Sequence, residues 1–154
     1  MTTAVGQAAP DFTLAGSNGK DVALHDYLGK KIVIYFYPQD HTPTCTTQAC
    51  DFRDYNGKFA ELGVEVLGIS PDPLTAHGKF IAKHDLPFVL LSDPEHQIAE
   101  TYGVWALKKL YGREYMGIVR STFLIDEEGR VAREWRNVRI KNHVQQVLEA
   151  AAAL

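Results

Sequence analysis

Two cysteines, Cys45 and Cys50, stand five residues apart just after the pair Thr42-Pro43, and this stretch holds the residue types best suited to chemistry. If Thr42 is an N-cap, Pro43 takes the first helical position, where its missing N–H is harmless, and Cys45 becomes the third residue of the helix. Unpaired backbone N–H groups and the positive end of the helix dipole favour anions there, so Cys45 is expected to ionise with a lowered pKa and act as a nucleophile. Spacing alone leaves a plainer reading open: Cys45 shares a helical stripe with Ala49 and Phe52, and free cysteines are commonly buried as small apolar residues. Cys50 lies off that stripe and by itself reads as an inert, half-buried thiol. Residues five apart in an α-helix have Cα atoms about 8.7 Å apart, whereas a disulfide rarely spans more than about 7 Å. Any bond between Cys45 and Cys50 therefore requires the first turns to unwind.

The elements around these cysteines are read from periodicity. Ile32 to Tyr37 is a continuous β-branched and aromatic run stopped by Pro38, as expected of a strand buried on both faces at the centre of a sheet. The loop Pro38 to Thr42 then leads into a helix that ends at Gly63. Before this unit, Phe12 to Leu14 and Val22 to Leu24 flank a turn and read as an N-terminal hairpin. After it, Val64 to Ile69 reads as a strand, Leu74 to His84 as a helix, Phe88 to Leu91 as a buried strand and His96 to Tyr102 as a short helix. Ser121 to Ile125 and Val131 to Trp135 form a second hairpin around Asp126 to Gly129, and Asn142 is the expected cap of a last helix. This order predicts an α/β chain with a central mixed sheet flanked by helices on both faces, and residues 1–154 read as a single domain. Ligands of such sheets gather at the carboxyl ends of the strands, where the loop Pro38 to Thr42 sits.

Composition narrows the function. With 16 Lys and Arg against 19 Asp and Glu, the net charge of -3 offers no basic face for nucleic acid. Two cysteines cannot build a disulfide framework, which points to a reducing compartment, and Met1 to Pro10 shows no signal or transit pattern, so a cytoplasmic location is expected. The most apolar stretch is far short of the roughly 20 residues of a membrane span. The six histidines at 25, 41, 77, 84, 96 and 143 lack metal-ligand spacing and read as scattered surface residues, so no metal is expected. Walker, dinucleotide and serine-nucleophile signatures are absent, and no cofactor is expected.

Pro38-Gln39-Asp40-His41-Thr42-Pro43-Thr44-Cys45 resembles the peroxiredoxin active-site signature of proline, three residues, threonine, two residues and cysteine. Thr46 to Arg53, with Cys50, is similar to the bacterioferritin-comigratory, or Q, subfamily. Val66 to Ser70, Leu90 to Asp93, Tyr102 to Trp105, Tyr111 to Arg113, Tyr115 to Gly117 and Arg120 to Asp126 carry the resemblance over nearly the whole chain. It implies a thioredoxin-like fold and reduction of a hydroperoxide by a dithiol. Cys45 would be the attacking thiolate and Cys50 the resolving thiol, with thioredoxin or a similar dithiol protein reducing the Cys45–Cys50 disulfide. The resemblance makes Arg120 the active-site arginine, although position alone reads it as a surface arginine at a strand edge. Thr42 would bond the peroxide or cap the helix, the resemblance favouring the first, and Pro38 would shield the thiolate. Two departures stand out: Thr44 where the family more often has glycine, implying narrower access, and Gln48 where many relatives have glutamate. A local resolving cysteine makes a dimer unnecessary, so a monomer is expected.

Two other readings fit a thioredoxin-like scaffold. A disulfide oxidoreductase also places a cysteine at a helix start, but it usually carries Cys-x-x-Cys, and here four residues intervene. A non-enzymatic interaction module is not excluded by fold; replacing Cys45 by serine separates it from a peroxidase.

Overall fold

The β-branched run forms β3, Lys31–Phe36, in which Ile32 to Phe36 have no exposed surface. The computed structural model describes residues 4–154. The elements before β3 are β1, Thr13–Gly16, β2, Asp21–Ala23, and a 3-10 turn over Leu24–Tyr27. After it come α1, Pro43–Glu61, β4, Val64–Ser70, α2, Leu74–His84, β5, Val89–Ser92, and α3, Gln97–Thr101. The chain continues through β6, Trp105–Leu110, β7, Arg113–Ile118, β8, Ser121–Ile125, and β9, Val131–Trp135, to α4, His143–Ala152.

Seven strands form one sheet in the order β2-β1-β5-β4-β3-β8-β9. β3, β4 and β5 run parallel, because α1 and α2 cross over between them, and β8 joins the other side of β3 antiparallel. The N-terminal hairpin of β1 and β2 completes the far edge through β5. One face of the sheet packs Val33, Tyr35 and Leu124 against Phe52 of α1, Phe80 of α2 and Val147 of α4. The other packs Ile34, Leu67 and Phe123 against Ala99 of α3 and its neighbours Tyr102 and Val104. The expected mixed sheet with helices on both faces is thus the observed one. Gly68 faces Tyr35 across the β3–β4 register, and a Cβ there would lie 2.9 Å from Tyr35 Cζ, so the absence of a side chain lets the ring lie flat over β4.

Three expectations need correction. β6 and β7 form a hairpin of their own, a two-stranded sheet that the sequence reading did not anticipate. Its strands mix Lys, Arg and Glu with apolar residues, and its two-residue turn is Tyr111-Gly112, both at positive φ as a type I′ turn requires, rather than the more legible Asn-Gly. The histidines are not all superficial: His77 and His143 are buried, at 0% and 3% exposure, because each finds a buried polar partner. Asn142 does precede α4, but at a φ of 60° its side chain makes no cap bond. Among the described residues no helix is long and apolar enough to cross a membrane.

Candidate active site

Tyr37 follows β3 directly, and its hydroxyl donates to Asp40 Oδ1 at 2.5 Å. Asp40 Oδ2 meets His77 Nδ1 at 2.6 Å, and His77 Nε2 meets the carbonyl of Leu91 at 3.0 Å. Both ring nitrogens face oxygens, and α2 is thereby fastened to β5 and to the loop after β3. The backbone N–H of Asp40 donates to Asp72 Oδ2, which also accepts from Ser70 Oγ. His41 reverses the chain at a φ of 64°, with its ring edge-on to Phe80. This buried network ties the loop to β4, α2 and β5, and so fixes where α1 begins.

α1 starts as the spacing predicts. Thr42 is the N-cap residue, Pro43 is at the first position and Cys45 at the third. The Thr42 hydroxyl does not cap the helix; it donates to the carbonyl of Gln39 at 2.9 Å. The capping alternative is therefore not the one adopted. Gly63, at a φ of 72°, follows the last turn as expected.

Cys45 is 2% exposed, and Arg120 Nη2 donates to its Sγ at 3.1 Å. The other amine, Nη1, donates to Oε1 of Gln48, one turn along α1. Arg120 reaches this position because it immediately precedes β8, where Ser121 pairs with Phe36 at the exit of β3. It is half-buried at the site, not a superficial strand-edge residue. The guanidinium thus lies beside the sulfur in the first turn of α1. The same charge acts on two other groups. Burial first and Arg120 second push His143 down to about 4, while burial first and Arg120 second lower Lys108.

Two buried polar atoms near this centre have no hydrogen-bond partner, Gln48 Nε2 and the Tyr35 hydroxyl. Burial foremost, then Asp40 and Cys45, pushes Tyr35 well up, so its phenol stays a donor. Cys50 is placed apart from Cys45. Both thiols are free, both lie within the unbroken helix, and Cys50 Sγ is 3.9 Å from His84 Nδ1 at the end of α2. An apolar hollow of about 220 Å³ bounded by Ala9, Leu24, Tyr27 and Ile32 opens near the start of β3, away from the cysteines.

The structure thus brings Thr42, Cys45 and Arg120 to one place, with Pro38 half-buried at the head of the loop, Thr44 exposed and Cys50 one turn beyond. Sequence reasoning missed Asp40 and His77, which share no spacing, and His84, which offers no signal until α2 is packed on α1.

Comparison with known proteins identifies the family. A family model described as AhpC/TSA family matches residues 5–134. Peroxiredoxin Bcp of Bacillus subtilis (strain 168) is 58% identical over 149 residues, covering 97% of this chain and 95% of the relative. Peroxiredoxin Bcp of Escherichia coli (strain K12) is 42% identical over 143 residues, covering 93% and 92%. The solved structure of Xanthomonas campestris peroxiredoxin Q superposes with a TM-score of 0.91 at 37% identity, covering 97% of each chain, and it carries the thioredoxin-like fold. Sequence and fold agree over nearly the whole chain, and the protein belongs to the AhpC/TSA family as a peroxiredoxin of the Bcp, or Q, type, a thiol-dependent peroxidase.

Proposed function

We propose that Cys45 is the peroxidatic thiolate of this enzyme and Cys50 its resolving thiol, with Thr42 and Arg120 serving the first step. The observation that carries the reading is the 3.1 Å contact from Arg120 Nη2 to Cys45 Sγ in the first turn of α1. The thiolate attacks the terminal oxygen of a hydroperoxide, an S–O bond forms as the O–O bond breaks, and the alkoxide or hydroxide takes a proton and leaves. Arg120 stabilises charge moving onto the leaving oxygen. The Thr42 hydroxyl, free of capping, serves as a hydrogen-bonding group toward the bound peroxide, and Pro38 keeps water from the thiolate.

Cys50 then displaces hydroxide from the Cys45 sulfenic acid, giving an intramolecular disulfide and water. A thioredoxin-type dithiol protein reduces that disulfide. Hydrogen peroxide and organic hydroperoxides are both substrates in this reading; the Xanthomonas campestris bacterioferritin comigratory protein, a structural neighbour at TM-score 0.91, is described as having alkyl peroxide reduction activity. The chain works as a single domain and a monomer in the cytoplasm, in antioxidant defence, without a cofactor.

The test is single-turnover oxidation by hydrogen peroxide, followed by tryptophan fluorescence and thiol titration. The wild type is expected to lose two thiols rapidly, Cys50→Ser to stop at a sulfenic acid and Cys45→Ser not to react. A wild-type rate no faster than that of a free thiol, or full turnover by Cys45→Ser, would overturn the assignment.

A further inference from the structure

Cys50 does not sit in a bland environment. Its Sγ lies 3.9 Å from His84 Nδ1, within reach of a sulfur hydrogen bond. His84 is the last residue of α2, and its ring is held edge-on against Phe80 at 5.2 Å. Its backbone carbonyl accepts from Arg53 Nη1 at 2.9 Å, one turn beyond Cys50, so α1 and α2 are clasped on both sides of the pair. A thiol facing an imidazole nitrogen is the arrangement in which a proton can pass from sulfur to nitrogen.

Charged groups of both signs surround the pair. On α1 the neighbouring charged groups are Asp51, Arg53 and Asp54, and Arg53, itself bonded to Asp54, exerts its charge on Cys50. On α2 they are Lys83, His84 and Asp85. From β3 the Tyr35 phenol, held protonated, also faces Cys50. α4 meets α1 elsewhere, where His143 and Asp51 border a separate hollow.

The packing also decides which cysteine travels. The first turn of α1 exposes Pro43, Thr44 and Thr47 and has no side-chain cap, whereas the turn of Cys50 is anchored by fully buried Ala49 and Phe52 and by the Arg53 clasp. The weaker end unwinds, and Cys45 moves to Cys50 while Cys50 stays against α2.

We propose that His84 is a catalytic residue of the resolving step, taking the proton of Cys50 at Nδ1 while Cys50 remains docked on α2. This rests on Cys50 being the resolving thiol. The S–H bond of Cys50 breaks and its proton passes to the imidazole. The sulfur attacks the Cys45 sulfenic sulfur, the S–S bond forms and the S–O bond breaks. Hydroxide leaves and is protonated to water from the imidazolium, so Cys50 is oxidised, Cys45 reduced and His84 returned neutral.

The experiment is stopped-flow oxidation of the full chain by hydrogen peroxide, comparing wild type with His84→Asn, which keeps a hydrogen-bonding group near Nδ1 but cannot accept the proton. His84→Ala with and without added imidazole is run alongside. The first phase, oxidation of Cys45, is expected to be unchanged in all three and reports intact folding. The Cys50-dependent second phase is expected to slow by at least about tenfold in both variants, with partial recovery of His84→Ala in imidazole. In wild type this phase slows toward acid, a slowing that His84→Asn lacks. A second phase in His84→Asn that equals the wild type in rate and pH profile, or runs faster, overturns the role of His84 and leaves Cys50 as resolving thiol. A wild type with no Cys50-dependent phase overturns both.

Discussion

Arg120 reaches Cys45 Sγ with one amine and Gln48 Oε1 with the other, so its fork is oriented before any peroxide arrives. A glutamate at position 48 would add a negative charge beside the guanidinium, whereas the neutral amide orients it without one. In the proposed mechanism Arg120→Met is expected to lower the second-order rate of Cys45 oxidation by about 10² to 10³. Arg120→Lys is expected to recover only part of this, because an ammonium cannot bridge both acceptors. Stopped-flow rates under pseudo-first-order peroxide check both, and a wild-type rate in Arg120→Met removes the arginine from the mechanism. The placement of Thr42 and Cys45 was legible because a helix start has local rules, whereas Cys50 by itself read as an inert thiol. Arg120 was legible only by resemblance, since its contact with Cys45 spans 75 residues of chain. Asp40 with His77 and Thr122 with His143 were illegible, as a buried histidine is recognised by a partner 37 or 21 residues away and not by its own neighbours.

At the scale of elements, α1 is a scaffold and, in the proposed mechanism, also the moving part. Its far end is secured by Phe52 and Phe59, without exposed surface, while its first turn holds one strongly buried apolar residue, Cys45. The geometry of the intact helix keeps Cys45 and Cys50 too far apart to bond. In the proposed mechanism, hydrogen exchange is expected to show that amides over residues 46–49 lose protection when the protein is oxidised, while those over residues 52–61 keep it. Equal protection across residues 42–52 in both redox forms would remove the unwinding step. Most elements were readable because their signals are short-range: the apolar run of β3, the threonine and proline before α1, the glycine after it, and Gly129 between β8 and β9. β6 and β7 escaped because a charged, half-exposed hairpin closed by Tyr111-Gly112 carries neither clean alternation nor the commonest turn residues.

For the molecule as a whole, the clearest pH dependence comes from His143, buried against Thr122 and pushed down to about 4 from 6.5 by desolvation and then by Arg120. The unfolded chain binds this proton first as acid is added. Stability from keeping His143 neutral is complete above about pH 6.5 and is lost as the pH falls toward 4, a span of about 3 kcal/mol. His143→Asn, which does not titrate, is expected to show a shallower loss of denaturant midpoint across that range, and an unchanged slope would assign the acid sensitivity elsewhere. The same long-range assembly governs when the protein becomes reactive. During synthesis Cys45 emerges 75 residues ahead of Arg120, and the two meet only after β8 has docked on β3, with Ser121 opposite Phe36. Until then, on the proposed assignment of Cys45, the ribosome carries two thiols without the guanidinium that serves the first step, so the finished fold completes the site and a nascent chain is spared the oxidation that its finished form is built to receive.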